Sequence, residues 1–235
     1  MDPSLTVTRS VAPVRQQVIE NLRRAIVEGR FGPADRLVER ELCALTGASR
    51  SSVREALRQL EAEGLVETLP DRGPVVRTVS ATEAEDLYQV RAQLEGLVGR
   101  LFASRATAAE VAELRESFED LAKAFRSKDP AVPLRAKDRF YDVLTTGCRN
   151  ATLDALLQAL HNRIALLRAT TLAQPGRSDK TLVELERIVR AVEKRDGDAA
   201  WAACVAHVDA AASVALTVLG GRGAAPKKAG RSRLA

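Results

Sequence analysis

The densest group of hydrogen-bonding side chains in the chain is the run Ser49, Arg50, Ser51, Ser52 and Arg54, which follows Thr46-Gly47-Ala48. Arginine presents a fork of donors that matches the O6/N7 edge of guanine, and serine hydroxyls reach phosphate oxygens or base edges. On the first turn of a helix such a group reads duplex DNA, because the free N–H groups there also favour phosphate. The residues downstream predict that helix, over Arg50 to Glu63. Val53, Ala56, Leu57 and Leu60 recur at i, i+3, i+4 and i+7 and form its buried stripe, while Arg50, Ser51, Arg54 and Arg58 lie off it. The competing reading is an ordinary solvated helix face, with Glu55, Glu61 and Glu63 as ion-pair partners of these arginines.

Several elements must hold this turn in place. A first helix runs from Val14 to Glu28, with Val14, Val18, Leu22, Ala25 and Ile26 on one face. A turn cluster follows at Phe31 to Asp35. A short second helix, Glu39 to Thr46, turns Leu42 and Leu45 inward, and Ser49 caps the third. Residues 65–69 and 75–79 read as two strands around Pro70-Asp71-Arg72-Gly73-Pro74. Two helices joined by a short glycine turn, with donors at the start of the second and a hairpin behind, are a winged helix-turn-helix.

Residues 14–80 accordingly resemble the DNA-binding domain of the GntR family of bacterial transcription regulators, most specifically in SRSSVREALRQLEAEGL. The resemblance implies DNA contacts at Arg40, Arg50, Ser51, Ser52 and Arg54, with Arg72 and Gly73 at the wing tip; the spacing adds Ser49. The family's Pro-Gly in the turn after the first helix is replaced by Pro33-Ala34-Asp35.

From Ala81 onward the pattern is helical, and six helices are expected: 83–105, 107–127, 131–147, 151–172, 179–195 and 197–219. Ser80 and Glu83 have capping-box spacing. The fold expected is therefore mostly α: three helices and a hairpin wing, then an all-α bundle of six to seven helices. We divide the chain into a flexible 1–10, a DNA-binding domain 11–79, a helical domain 80–219 and a disordered basic tail 220–235. The helical part resembles the effector domain of the FadR-like branch of the same family, in LYQVRAQLEGLVGRLFA, FYDVLTTGCRNATLDAL and LERIVRAVEKRDGDAAWAACVAHV. By that resemblance the bundle pairs two subunits and encloses a ligand pocket, where many members hold a divalent metal with one Asp and three His.

The ligand positions have changed here. Lys137 stands at the Asp, Tyr141 at the first His and Leu185 at the second; only His207 is kept, and Asp138 is one residue out of register. One imidazole beside an ammonium does not hold a divalent cation, so neither metal nor cofactor is expected. The pocket is instead expected to take an organic anion, with Arg91 or Lys137 supplying charge, Tyr141 and His207 hydrogen bonds, and Leu185 an apolar wall. The alternative is a closed pocket, or a Lys137 that reaches solvent. His161 matches no ligand position.

Composition narrows the remaining classes. Aromatic residues make up 3% against 46% hydrophobic overall, which favours helices packed through Leu, Val and Ala. The net charge of +5 is misleading: 1–80 carry +1, 81–219 carry −1 and 220–235 carry +5. No triad, phosphate loop or dinucleotide motif appears, only two histidines occur, and Glu184 and Glu186 read as solvent-facing, so an enzyme is not expected. Cys43, Cys148 and Cys204 are far apart and read as buried, reduced thiols. MDPSLTVTRS carries no leader core, and no apolar run of about 18 residues stands out, so a membrane span is not expected. The chain reads as a cytoplasmic, homodimeric regulator, most simply a repressor. It binds a palindromic operator under control of a small anionic effector. A constitutive dimeric regulator without an effector is the alternative.

Overall fold

The sequence folds as its periodicities direct, with local exceptions that have physical causes. The computed structural model describes residues 12–127, 129, 131–172, 174 and 176–223. The expected flexible start, most of the basic tail and the His161 side chain lie outside what is described.

The first part holds α1 (Ala12–Val27), α2 (Glu39–Thr46), α3 (Arg50–Ala62), β1 (Val66–Leu69) and β2 (Gly73–Val76). The apolar stripes of α1 and α3 face each other, so that Val18, Leu22 and Ile26 pack with Val53, Leu57 and Leu60. Two residues expected in this core are outside it: Val14 is 55% and Leu45 72% exposed. Val14 lies in the opening turn of α1. The two-turn α2 inserts only Leu42, which leaves Leu45 beside Phe31 on a shallow surface groove.

The hairpin is tighter than expected. Leu69 pairs with Gly73 and Val66 with Val76, so only Pro70-Asp71-Arg72 make the turn. The second strand ends at Val76 rather than Val79. Its outer edge is taken by the chain entering α2: Leu37 N–H donates to Pro74 O, Val76 N–H to Asp35 O and Ala34 N–H to Val76 O, each at 2.9 Å. Ala34 holds φ +67°, a left-handed conformation that costs an L-residue about 1 kcal/mol and glycine almost nothing. The family's Gly fits this turn. Ala34→Gly is therefore expected to raise stability by up to about 1 kcal/mol, seen as a melting point a few degrees higher.

The second part holds α4 (Ala81–Arg105), α5 (Ala108–Ala124), α6 (Ala131–Gly147), α7 (Ala151–Leu172), α8 (Arg177–Glu193) and α9 (Gly197–Gly223). Ser80 caps α4 by accepting from Glu83 N–H at 3.1 Å, so the helix starts at Ala81 rather than 83. Helix α8 starts at Arg177 rather than 179, and α9 continues to Gly223 instead of stopping at 219. The long helices α4 and α9 lie along each other. A Cβ at Gly99 would come within 2.6 Å of Cys204 Sγ, so the contact needs glycine there. Gly197–Gly220 has mean hydropathy 1.7, long and apolar enough to span a bilayer, contrary to the sequence expectation. In the fold it lies against α4 and buries Cys204, Val208, Ala211 and Ala215.

Candidate nucleic-acid interface and ligand chamber

The glycine turn builds the first site. Gly47 ends α2 in the left-handed region at φ +67°, its N–H donating to Cys43 O, and the chain re-enters a helix three residues later. Ser49 is the N-cap of α3 and accepts from Ser52 N–H at 3.2 Å; its hydroxyl also shares hydrogen bonds with those of Ser51 (2.9 Å) and Ser52 (3.0 Å). The serines thus form one small network that holds the helix start, and Ser49 Oγ is committed mainly to the cap.

The carboxylates of α3 do not neutralise its arginines, as the solvated-face reading requires. Glu55 pairs with Arg15 and Glu63 with Arg23, both on α1. Arg40, Arg50 and Arg72 are exposed and form no ion pair among the described residues. Arg54 is exposed too, but its Nε donates to both carboxylate oxygens of Glu39, at 2.8 and 2.9 Å. That bond draws the Glu39 pKa below the usual carboxylate range. The sequence does not single out Glu39, which bonds the Nε of Arg54. Arg72 sits at the tip of the hairpin and Gly73 opens its return strand at φ +72°.

The second site is a cluster of buried charge. Arg91, Glu95, Lys137, Arg177 and His207 are each 6% exposed or less. Arg91 Nε donates to Glu95 Oε1 at 2.5 Å and Arg91 Nη2 to Tyr141 Oη at 3.3 Å. Arg91 and Lys137 both lie against the Tyr141 ring, at 5.9 and 5.8 Å from its centre. Lys137 does not reach solvent. His207 Nδ1 lies 2.7 Å from Glu184 Oε2, and Arg177 clasps the same carboxylate at 2.6 and 2.8 Å. Leu185 is fully buried beside them. The sequence reading therefore named Arg91, Lys137, Tyr141, Leu185 and His207, and the fold gathers all five into one interior. It missed Glu95, Arg177 and Thr181, and placed Glu184 in solvent. Arg91–Glu95 at i, i+4 and Arg177–Glu184 at i, i+7 were the available signals.

Burial would raise the Glu184 pKa, but hydrogen bonds from His207 and Arg177 outweigh it and hold the group at about 2. Burial lowers His207 to about 4; Glu184 opposes this, and Lys137 and Arg91 reinforce it. The imidazole is thus neutral at pH 7, with Nδ1–H donating to the ionised carboxylate. That tautomer leaves Nε2 as an acceptor, and Nε2 is buried without a hydrogen-bond partner, as is Thr181 Oγ1. A His pKa lowered by folding means the unfolded chain binds the proton first. Stability present above pH 6.5 is then lost as the pH falls towards 4, and Glu184 extends the loss below about 4.5. The wild type is expected to lose roughly 2 kcal/mol between pH 7 and 5 through His207, and His207→Gln to lose much less, as read from urea midpoints at the two pH values.

The residues do not fit a divalent cation. Lys137 is buried at the position of the family's Asp ligand, and no three His, Cys, Asp or Glu side chains gather as a metal would need among the described residues. Asp138, one position on, lines a groove between α1 and α6. A cleft of about 30 Å³ lies between α4, α6 and α7 and meets the charged cluster at Glu95 and Tyr141, with Asp142, Leu157, Gln158 and Ile164 also on its border.

A winged helix-turn-helix with exposed arginines and serines at the start of its second helix, carried on a six-helix domain with a charged interior, defines a DNA-binding transcription regulator. Residues 14–76 match the family described as bacterial regulatory proteins, gntR family, and residues 86–210 match the FCD domain. The chain belongs to the GntR family, in its FCD-containing form. It is 30% identical over 200 residues to the HTH-type transcriptional repressor RspR of Escherichia coli, covering 83% of this chain and 86% of that one. To the HTH-type transcriptional regulator YdhC of Bacillus subtilis it is 29% identical over 197 residues, covering 83% and 88%. The fold is shared with E. coli McbR/YncC at a TM-score of 0.76 and 20% identity, covering 91% of this chain and all of that one. The family consists of regulators, not enzymes.

Proposed function

We propose that the protein is a homodimeric repressor whose grip on a palindromic operator is set by an organic anion bound inside the helical domain. In this reading Arg40, Arg50, Ser51, Ser52 and Arg54 meet one half-site, Ser49 positions them, and Arg72 and Gly73 reach the flanking backbone. Residues 11–79 serve as the DNA-binding unit and 80–219 as the sensor. Val90 and Leu97, exposed apolar residues on α4, support a second copy covering that face. A cytoplasmic location in a bacterium belongs to the same reading, since the relatives are bacterial transcription regulators.

The observation that carries the anion is the gathering of buried basic groups in the interior. Arg91, Lys137 and Arg177 are each buried within one cluster around Tyr141, Glu184 and a neutral His207. Such a set of desolvated donors suits an anionic ligand. His207 Nε2 then accepts a hydrogen bond from a hydroxyl of the same ligand. A thermal-shift series with citrate, gluconate and simple monocarboxylates tests this. One class is expected to raise the melting point of the wild type and release operator DNA, and Lys137→Ala to lose both responses. If Lys137→Ala responds at the same concentration as the wild type, the reading is wrong. The small cleft favours a second reading, a constitutive regulator whose bundle serves dimerisation alone; it stands if no compound shifts the wild type.

A further inference from the structure

We infer that α7 is the element through which the chamber controls the DNA-binding domain, an inference that rests on the ligand reading above. The helix is two-sided: one part borders the cleft, another docks on the first domain. Leu157 and Ile164, two turns apart, border the cleft. Leu166 packs against the core of the DNA-binding domain. Arg163 ion-pairs with Glu83, which also takes Arg77, from the segment that follows the wing. The stem of Arg163 covers Gly64, where a Cβ would sit 3.3 Å from its Cγ and Cδ.

This clasp is built to yield. Two guanidiniums share one carboxylate, and Arg163 Nε is buried without a hydrogen-bond partner. Helix α4 is backed by α9 and α6 by α5, whereas the contacts of α7 are divided among α4, α9, α1, α6 and α8. A cleft of about 30 Å³ holds roughly one water. A multi-carbon anion that reaches the charged cluster by this route must move a wall, and α7 is the wall that also touches the first domain. Its displacement pulls Arg163 off Glu83 and Leu166 off the first domain. The winged domain then loses the orientation that a dimer needs to meet two half-sites at once, and operator affinity falls.

The test uses no ligand, so it fails or succeeds apart from the anion reading. Leu157→Trp puts a wedge into the cleft of the full-length protein; Gln158→Trp does so from its rim if the first variant folds poorly. The wedge is expected to weaken operator binding about tenfold by fluorescence anisotropy, and to speed hydrogen exchange in Arg77–Glu83 and around Arg163. Arg163→Ala with Leu166→Ala is expected to weaken binding to the same extent, and the wedge added to that pair to cause no further loss. Additive losses, or a folded wedge variant with unchanged exchange at Arg77–Glu83, overturn the inference. If the wedge behaves as stated and no anion shifts the wild type, the coupling holds and the ligand reading alone falls.

Discussion

A protein carrying Arg50→Ala and Arg54→Ala is expected to bind its own promoter DNA at least about 100-fold more weakly than the wild type, with selectivity over random duplex largely gone. Each arginine is bare on the first turn of α3 apart from the bond from Arg54 to Glu39. A bidentate contact to a base is worth about 1–3 kcal/mol, and two such losses compound. Glu39 would deepen the second loss: without Arg54 its carboxylate loses that ion pair and, in the proposed interface, would repel phosphate. Glu39→Ala added to the double variant should recover part of the affinity without restoring selectivity. Anisotropy titrations on the promoter and on scrambled DNA measure both quantities. Equal affinity and selectivity in the double variant and the wild type would place the interface elsewhere.

The second large effect is on stability. Arg91→Met is expected to cost about 3–5 kcal/mol, because it removes the guanidinium bonded to the Glu95 carboxylate in an interior that water does not reach. Arg91 is 1% exposed and its bond to Glu95 is 2.5 Å long. Burial alone would depress the Arg91 pKa, but Glu95 and the flanking tyrosines outweigh it and keep the guanidinium charged. Converting the pair together, as Arg91→Met with Glu95→Leu, should restore most of the loss, since apolar residues of similar volume pack without desolvating charge. Urea unfolding of the three proteins at pH 7 gives the comparison. Full recovery in the double variant means that this pair is not needed for folding, which leaves ligand recognition as its use. A single variant as stable as the wild type would mean that Glu95 is neutralised by another group.

What could be read from the residues divides by range. Helix α3 was legible because its stripe, its cap and its basic turn are all local, within Ser49 to Leu60. The wing was legible as a hairpin, but its register was not, since it depends on Ala34–Leu37 pairing with β2 from outside the motif. The capping-box spacing of Ser80 and Glu83 misled in one respect: Ser80 caps, but the Glu83 side chain turns to Arg77 and Arg163. The chamber was half legible. Lys137, Tyr141 and His207 stood out as departures from a family pattern, whereas Glu184 looked like any charge on a helix. Its burial comes from the meeting of α8 and α9, and no periodicity within α8 announces that it would meet His207.

The pairing of α3 with α1 has a consequence for how the protein behaves near a polyanion. By formal count the first eighty residues are almost neutral, at +1. Yet Glu55 is paired with Arg15 and Glu63 with Arg23, both on α1, so on the other side of the helix Arg50 has no ion-pair partner among the described residues and Arg54 meets Glu39 alone. If that face is the one that meets DNA, as proposed, the domain would displace condensed counterions through a surface more basic than its total, while carrying little net charge to draw it to other acidic polymers.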